Sequence, residues 1–139
     1  MAQRLQEMMT QSPVTVDRSS STAEVARLMR EKDVGDVIVL EDNKICGIVT
    51  DRDIVLRAVA GGADPQSTPA GDICSRDLAY LAPSDTVSDA VRVMRDKAIR
   101  RLPIVDDGRP VGIVSLGDLA LERDPDSALG DISAAPPNV

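Results

Sequence analysis

The side chains that could do chemistry in this sequence are few, and they fall in two matched places. Thr50-Asp51-Arg52-Asp53 and Ser115-Leu116-Gly117-Asp118 each set a hydroxyl three residues before a carboxylate, directly after an apolar run. That spacing is a capping box, with Asp where Glu is more usual, so both runs predict a helix start. A helix start offers unbonded backbone N–H groups and the positive end of a dipole, which suit an anion. Asp51 and Asp53, two acids one residue apart, read as solvated cap residues, and no metal site is assigned. Histidine is absent, which removes Ser-His and Cys-His catalysis and any His-ligated metal. There is no P-loop and no dinucleotide-binding glycine fingerprint. No residue is assigned a catalytic role, and the chain is read as not an enzyme.

The two places belong to a duplication. Shifting the chain by 65 residues lays Thr22–Ile54 over Val87–Leu119 without a gap, with 9 of 33 positions identical. Each copy predicts the same elements. A short strand comes first, near Val14–Val16 and Leu78–Leu81. A helix follows, capped by Ser21 with Glu24 in one copy and Thr86 with Asp89 in the other. Its buried stripe is Val25, Ala26 and Met29, or Val87, Ala90, Val91 and Met94. Two apolar strands come next, Val37–Leu40 with Ile45–Val49 and Leu102–Val105 with Val111–Val114. Their joining turns, residues 41–44 and 106–109, have hairpin chemistry. Pro103 inside a strand predicts an edge or a bulge. A second helix closes each copy, ending at Gly61-Gly62 and before Pro125.

This divides the chain into repeat 1 with an N-terminal helix (1–63), a linker with a short helix (64–77), repeat 2 (78–125) and a tail (126–139). In the linker Thr68 is the expected N-cap and Pro69 the first helical residue. The tail echoes the linker, Asp124-Pro125 answering Asp64-Pro65, so a short helix is expected at 128–132 and a frayed end over 134–139.

Composition narrows the function. The chain has 139 residues, 42% of them hydrophobic, enough for a real core. A net charge of −7 repels phosphate backbones and argues against nucleic-acid binding. Phe and Trp are absent and Tyr80 is the single aromatic, so a base-stacking platform cannot be built. No apolar run reaches the ~20 residues of a membrane-spanning helix, and Met1–Gln11 lacks the pattern of a signal peptide. Two cysteines give no disulfide framework, and a cytoplasmic protein with reduced thiols is the default expectation. Cys46 reads as a small buried hydrophobe. Cys74, after the linker helix, is expected to be more exposed.

The runs from Gly47 to Ile54 and from Gly112 to Leu119 resemble the signature of the CBS domain: glycine, an apolar strand, Thr or Ser, two residues, then Asp. Duplicated from about Leu5 to Arg123, they resemble a tandem CBS pair, a Bateman module of the small stand-alone bacterial kind. The resemblance implies an α/β (α+β) fold of two β-α-β-β-α repeats related by pseudo-twofold symmetry, with packed sheets and two clefts. It implies a regulatory sensor for AMP, ADP, ATP or S-adenosylmethionine, none of them an obligatory cofactor. The motif Asp would accept from the ribose hydroxyls and the Thr or Ser would meet ribose or phosphate, which nominates Thr50, Asp53, Ser115 and Asp118. A carboxylate on a vicinal diol makes two charge-assisted bonds, worth about 1.5–3 kcal/mol each. Arg100 and Arg101 stand where copy one has Gly35 and Asp36, and either guanidinium would recognise phosphate bidentately or pair with surface acids. Unequal clefts are therefore expected. A homodimer is implied too, built on Ile54–Ala60 and Leu119–Leu121, where Val55, Val59 and Ala60 add apolar surface. The alternative is a scaffold with empty clefts that binds a protein partner.

Overall fold

The computed structural model describes residues 3–135. Short, nearly continuous apolar runs form the central strands of two three-stranded sheets, and capping residues start the helices that accompany them. By its internal contacts the chain forms two compact units. Among the described residues, one gathers the N-terminal stretch through Ser12, Ala79–Asp106 and the stretch from Val111 on. The other is Pro13–Leu78 with Asp107–Pro110.

The Pro13–Leu78 unit is built on β2 (Thr15–Asp17), β3 (Asp36–Glu41) and β4 (Lys44–Thr50). β2 runs parallel to β3, and β3 antiparallel to β4, with Asp36 opposite Thr50 and a bulge between Val39 and Leu40. The β3–β4 turn holds Asp42 and Asn43 at positive φ, 52° and 65°, the conformation that two-residue hairpins require. Helix α1 (Thr22–Lys32) is started by Ser21, whose hydroxyl accepts from Glu24 N at 3.1 Å. Its buried stripe is Thr22, Val25 and Met29. Ala26, expected inside, is exposed, and Thr22 takes the inner place because its hydroxyl donates to the Thr68 carbonyl at 2.8 Å. After β4 comes α2 (Asp51–Asp53), continuing as a π-helical segment, Ile54–Val59. The linker helix α3 (Ala70–Ile73) follows. Its N-cap is Pro69 rather than Thr68, because the Thr68 carbonyl turns back to accept from Thr22 N.

The other unit holds β1 (Thr10–Gln11), β5 (Arg101–Asp106) and β6 (Arg109–Ser115) in the order β1-β6-β5. Its helices are α4 (Val87–Lys97), α5 (Leu116–Arg123) and α6 (Ala128–Ala134). Pro103 lies in β5, outermost in that order, and its carbonyl accepts from Leu81 N at 3.2 Å. The expected strand near Leu78–Leu81 is reduced to one parallel bridge, Leu81 to Ile104. Helix α4 has both halves of its capping box, between Thr86 and Asp89. The tail helix α6 is two residues longer than expected, and the frayed end foreseen over 134–139 lies largely outside the described residues.

The N-terminal segment departs most from the sequence reading. Leu5–Glu7 forms one 3-10 turn, and it belongs with repeat 2, not repeat 1. The 65-residue offset explains why. Leu5 N donates to Asp85 O at 2.9 Å as Ala70 N donates to Ser20 O at 2.7 Å. Gln6 N donates to Pro83 O as Gly71 N donates to Arg18 O. Thr10 pairs with Ile113 as Ser75 pairs with Ile48. Each repeat is therefore completed by the segment that precedes the other in sequence. Leu5, fully buried, fills the core of the second repeat, and Ala70, Ile73 and Cys74 fill that of the first.

Candidate functional site

The motif glycine is explained by that exchange. A Cβ at Gly47 would lie 2.5 Å from Cys74 Sγ and 3.0 Å from the Ser75 carbonyl. At Gly112 it would overlap the Met9 side chain and lie 3.0 Å from the Thr10 carbonyl. The glycines thus seat the exchanged segments against β4 and β6. Cys74 is buried here, contrary to the exposure expected of it. Cys46 is half-buried, and its thiol is pushed up from the usual range mainly by burial, then by the neighbouring Cys74.

Beyond the glycine, each strand delivers its hydroxyl residue to a helix start. Thr50 Oγ1 accepts from Asp53 N at 3.1 Å, and Asp53 Oδ2 accepts from Thr50 N at 2.9 Å. Ser115 Oγ and Asp118 Oδ2 make the same pair of bonds, at 3.1 and 2.9 Å. The four nominated residues are thus brought together two by two, as closed capping boxes, and each Asp keeps one carboxylate oxygen outside its box. There the copies part. Asp53 Oδ1 is faced by Arg57 Nε at 3.7 Å, one turn along the helix. Asp118 Oδ1 has no such cation among the described residues, because Glu122 holds the position four residues on.

The arginines also fall at the second motif. The Arg100 carbonyl accepts from Leu116 N at 2.8 Å, which ties Arg100 to the start of α5. Gly35 does the same for Asp51 N at 3.0 Å in the first copy. Arg101 opens β5 as Asp36 opens β3, and both arginines are exposed. The Ser115–Asp118 helix start is thus flanked by two guanidinium-bearing residues. The Thr50–Asp53 start has a glycine and a carboxylate at those places. Arg57, which sequence reasoning passed over, donates to the carbonyls of Ile73 and Cys74 at 3.3 and 3.2 Å and so pins α3. Its position four residues after Asp53 was the available signal.

The comparisons with known proteins bear on the family and the fold. The CBS domain family model matches residues 5–59 and 70–123. The CBS domain-containing protein YhcV of Bacillus subtilis is 41% identical over 119 residues, 86% of this chain and 84% of its own. The crystal structure of Hypoxic Response Protein I with two coordinated zinc ions superposes with a TM-score of 0.77 at 29% identity, over 86% of this chain and 98% of that one. A hexameric CBS-CP12 protein from bloom-forming cyanobacteria superposes with a TM-score of 0.77 at 32% identity, over 90% and 74% of the two chains. The chain belongs to the CBS-domain family, as a tandem pair, and is a regulatory module. Among the described residues no group of three or more His, Cys, Asp and Glu side chains is placed to hold a metal ion. No described helix is long and apolar enough to cross a membrane.

Proposed function

We propose that this chain is a non-catalytic sensor of an adenosine-containing ligand, AMP, ADP, ATP or S-adenosylmethionine, and that the second motif does the binding. The observation that carries this reading is the carboxylate of Asp118. One oxygen closes the helix cap and the other lies outside the capping box, at a helix start tied to the backbone of Arg100, with Arg101 next at the head of β5. Asp118 accepts from the ribose hydroxyls, Ser115 stands beside the sugar, and the arginines with the Gly117 N–H meet phosphate, the N–H groups of Leu116 and Asp118 being bonded already to the Arg100 carbonyl and Ser115 Oγ. Thr50 and Asp53 form the weaker counterpart, because Arg57 already engages Asp53 and Asp36 repels phosphate. Magnesium enters only with a nucleotide. The protein acts in the cytoplasm as a homodimer, and ligand binding changes what the dimer contacts.

A dye-based thermal shift against the four ligands, with and without magnesium, tests the reading. A ligand at 100 times its dissociation constant adds about 2.7 kcal/mol, a rise of several degrees for a chain of this size. A selective rise that Arg100→Gln reduces for nucleotides supports it, and flat melts at millimolar ligand contradict it. A second reading, a ligand-independent scaffold for a protein partner, is favoured by the uncovered apolar side chains Val55, Leu56 and Val59, which are 56%, 52% and 62% exposed. Flat melts together with co-purification of one partner would select it.

A further inference from the structure

We propose that Cys46 and Cys74 form a reversible intramolecular disulfide, which fastens the linker segment to β4 when the chain meets a small-molecule disulfide. These are the two cysteines of the sequence, and the fold brings both to one joint of the first repeat. Cys74 caps the end of α3, and its Sγ lies against Gly47, the residue after Cys46, where a Cβ would stand 2.5 Å from it. The strand turns Cys46 toward the same place. Val39 pairs with Gly47 and Leu40 with Ile45, so Cys46 is the bulged residue of β4, with no partner opposite it. Strict alternation would set Cys46 on the face away from Val49. The bulge breaks that alternation, and Cys46 packs against the core that holds both Val49 and Cys74. The other repeat has the same joint without the chemistry: Met9 and Val111 stand where Cys74 and Cys46 do, and both pack against that repeat's core.

The two thiols take different parts. Cys46 is half-buried, so the oxidant reaches it first. Cys74 is 6% exposed, and it gives up a long S–H···O bond of 3.5 Å to the Gly71 carbonyl. The Cys46 thiolate attacks one sulfur of the oxidant, whose S–S bond breaks and whose other half leaves. Cys74 then attacks Cys46 Sγ and expels the second half. Two electrons pass from the cysteines to the oxidant, and the two thiol protons end on the two released thiols. Burial, Cys74 and Glu41 raise the Cys46 thiol, while Arg76 and Arg18 lower it. The balance is upward, so the reaction is slow at neutral pH and quickens as pH rises. The bond closes beside the Ile73 and Cys74 carbonyls that Arg57 holds, and so it fixes the segment seated on Gly47.

The test treats the reduced full chain with excess oxidised glutathione at mildly alkaline pH, followed by intact mass, peptide mapping and a thermal melt. Wild type is expected to lose two hydrogens and keep no glutathione, and to yield a peptide joining Cys46 to Cys74. It should also melt several degrees higher, and dithiothreitol should reverse every change. Cys74→Ala, which leaves nothing to resolve the first step, should keep one glutathione on Cys46. Cys46→Ala should stay reduced, because its remaining thiol is buried. Circular dichroism shows that each variant is folded, and the wild-type mass and peptide map stand without either. A wild type that keeps glutathione, links one chain to another or retains both thiols overturns the proposal. So does a disulfide that forms only in urea. None of these readouts depends on nucleotide binding.

Discussion

Gly47 and Asp89 show how single residues set local geometry in this chain. Gly47→Ala would press a methyl onto Cys74 and the Ser75 backbone, where a flexible side chain end cannot absorb all of it. A loss of about 1–3 kcal/mol in urea unfolding is expected, with the slope unchanged. The Asp89 carboxyl is held below the usual carboxylate range, first by the bond from Thr86 N, then by the Thr86 hydroxyl, with Arg92 a lesser contributor. A carboxylate whose folded-state pKa is depressed contributes stability above its unfolded pKa, and that contribution is lost as pH falls through the folded value. Wild type should therefore exceed Asp89→Asn in stability at neutral pH. The difference should close below the ordinary carboxylate range, as read by melts across an acid series. A constant difference at all pH values would contradict the assignment.

At the scale of elements, the exchanged segments carry the main prediction. Leu5 is fully buried in the core of the second repeat, so Leu5→Ala should cost about 2–5 kcal/mol. Faster hydrogen exchange should appear in α4 and β6, far from residue 5 in sequence, and not in α1 and β4. Much of the fold was legible in the sequence, because the duplication repeats each periodicity and each cap. Ser21, Thr86, Thr50 and Ser115 all cap the helices expected of them. The destination of residues 4–12 was not legible, because Leu5 and Met8 stand against Ala70 and Ile73 in the aligned copies and share little beyond hydrophobicity. The π-helical register of Ile54–Val59 was hidden too, since the residue types of that run suit an ordinary α-helix equally well. In the candidate site, residue types marked the two helix starts, but the contrast between Asp53 and Asp118 needed the position of Arg57.

For the whole molecule, the uncovered apolar row on the first repeat bears on assembly. Val55, Leu56 and Val59 follow the motif helix, and a homodimer through this face would bury them. Sedimentation should show a dimer at micromolar concentration, and Val59→Glu should shift it to monomer without lowering helix content. A monomeric wild type would contradict that part of the account. The central claim is that the second motif binds an adenosyl ligand through Asp118. Calorimetric titration of ATP, AMP and S-adenosylmethionine into wild type, Asp118→Asn and Asp53→Asn tests it most directly. The account predicts one-site binding that weakens by about tenfold or more in Asp118→Asn and changes little in Asp53→Asn. Equal affinity in wild type and Asp118→Asn, with the fold intact, would show that Asp118 is only a helix cap.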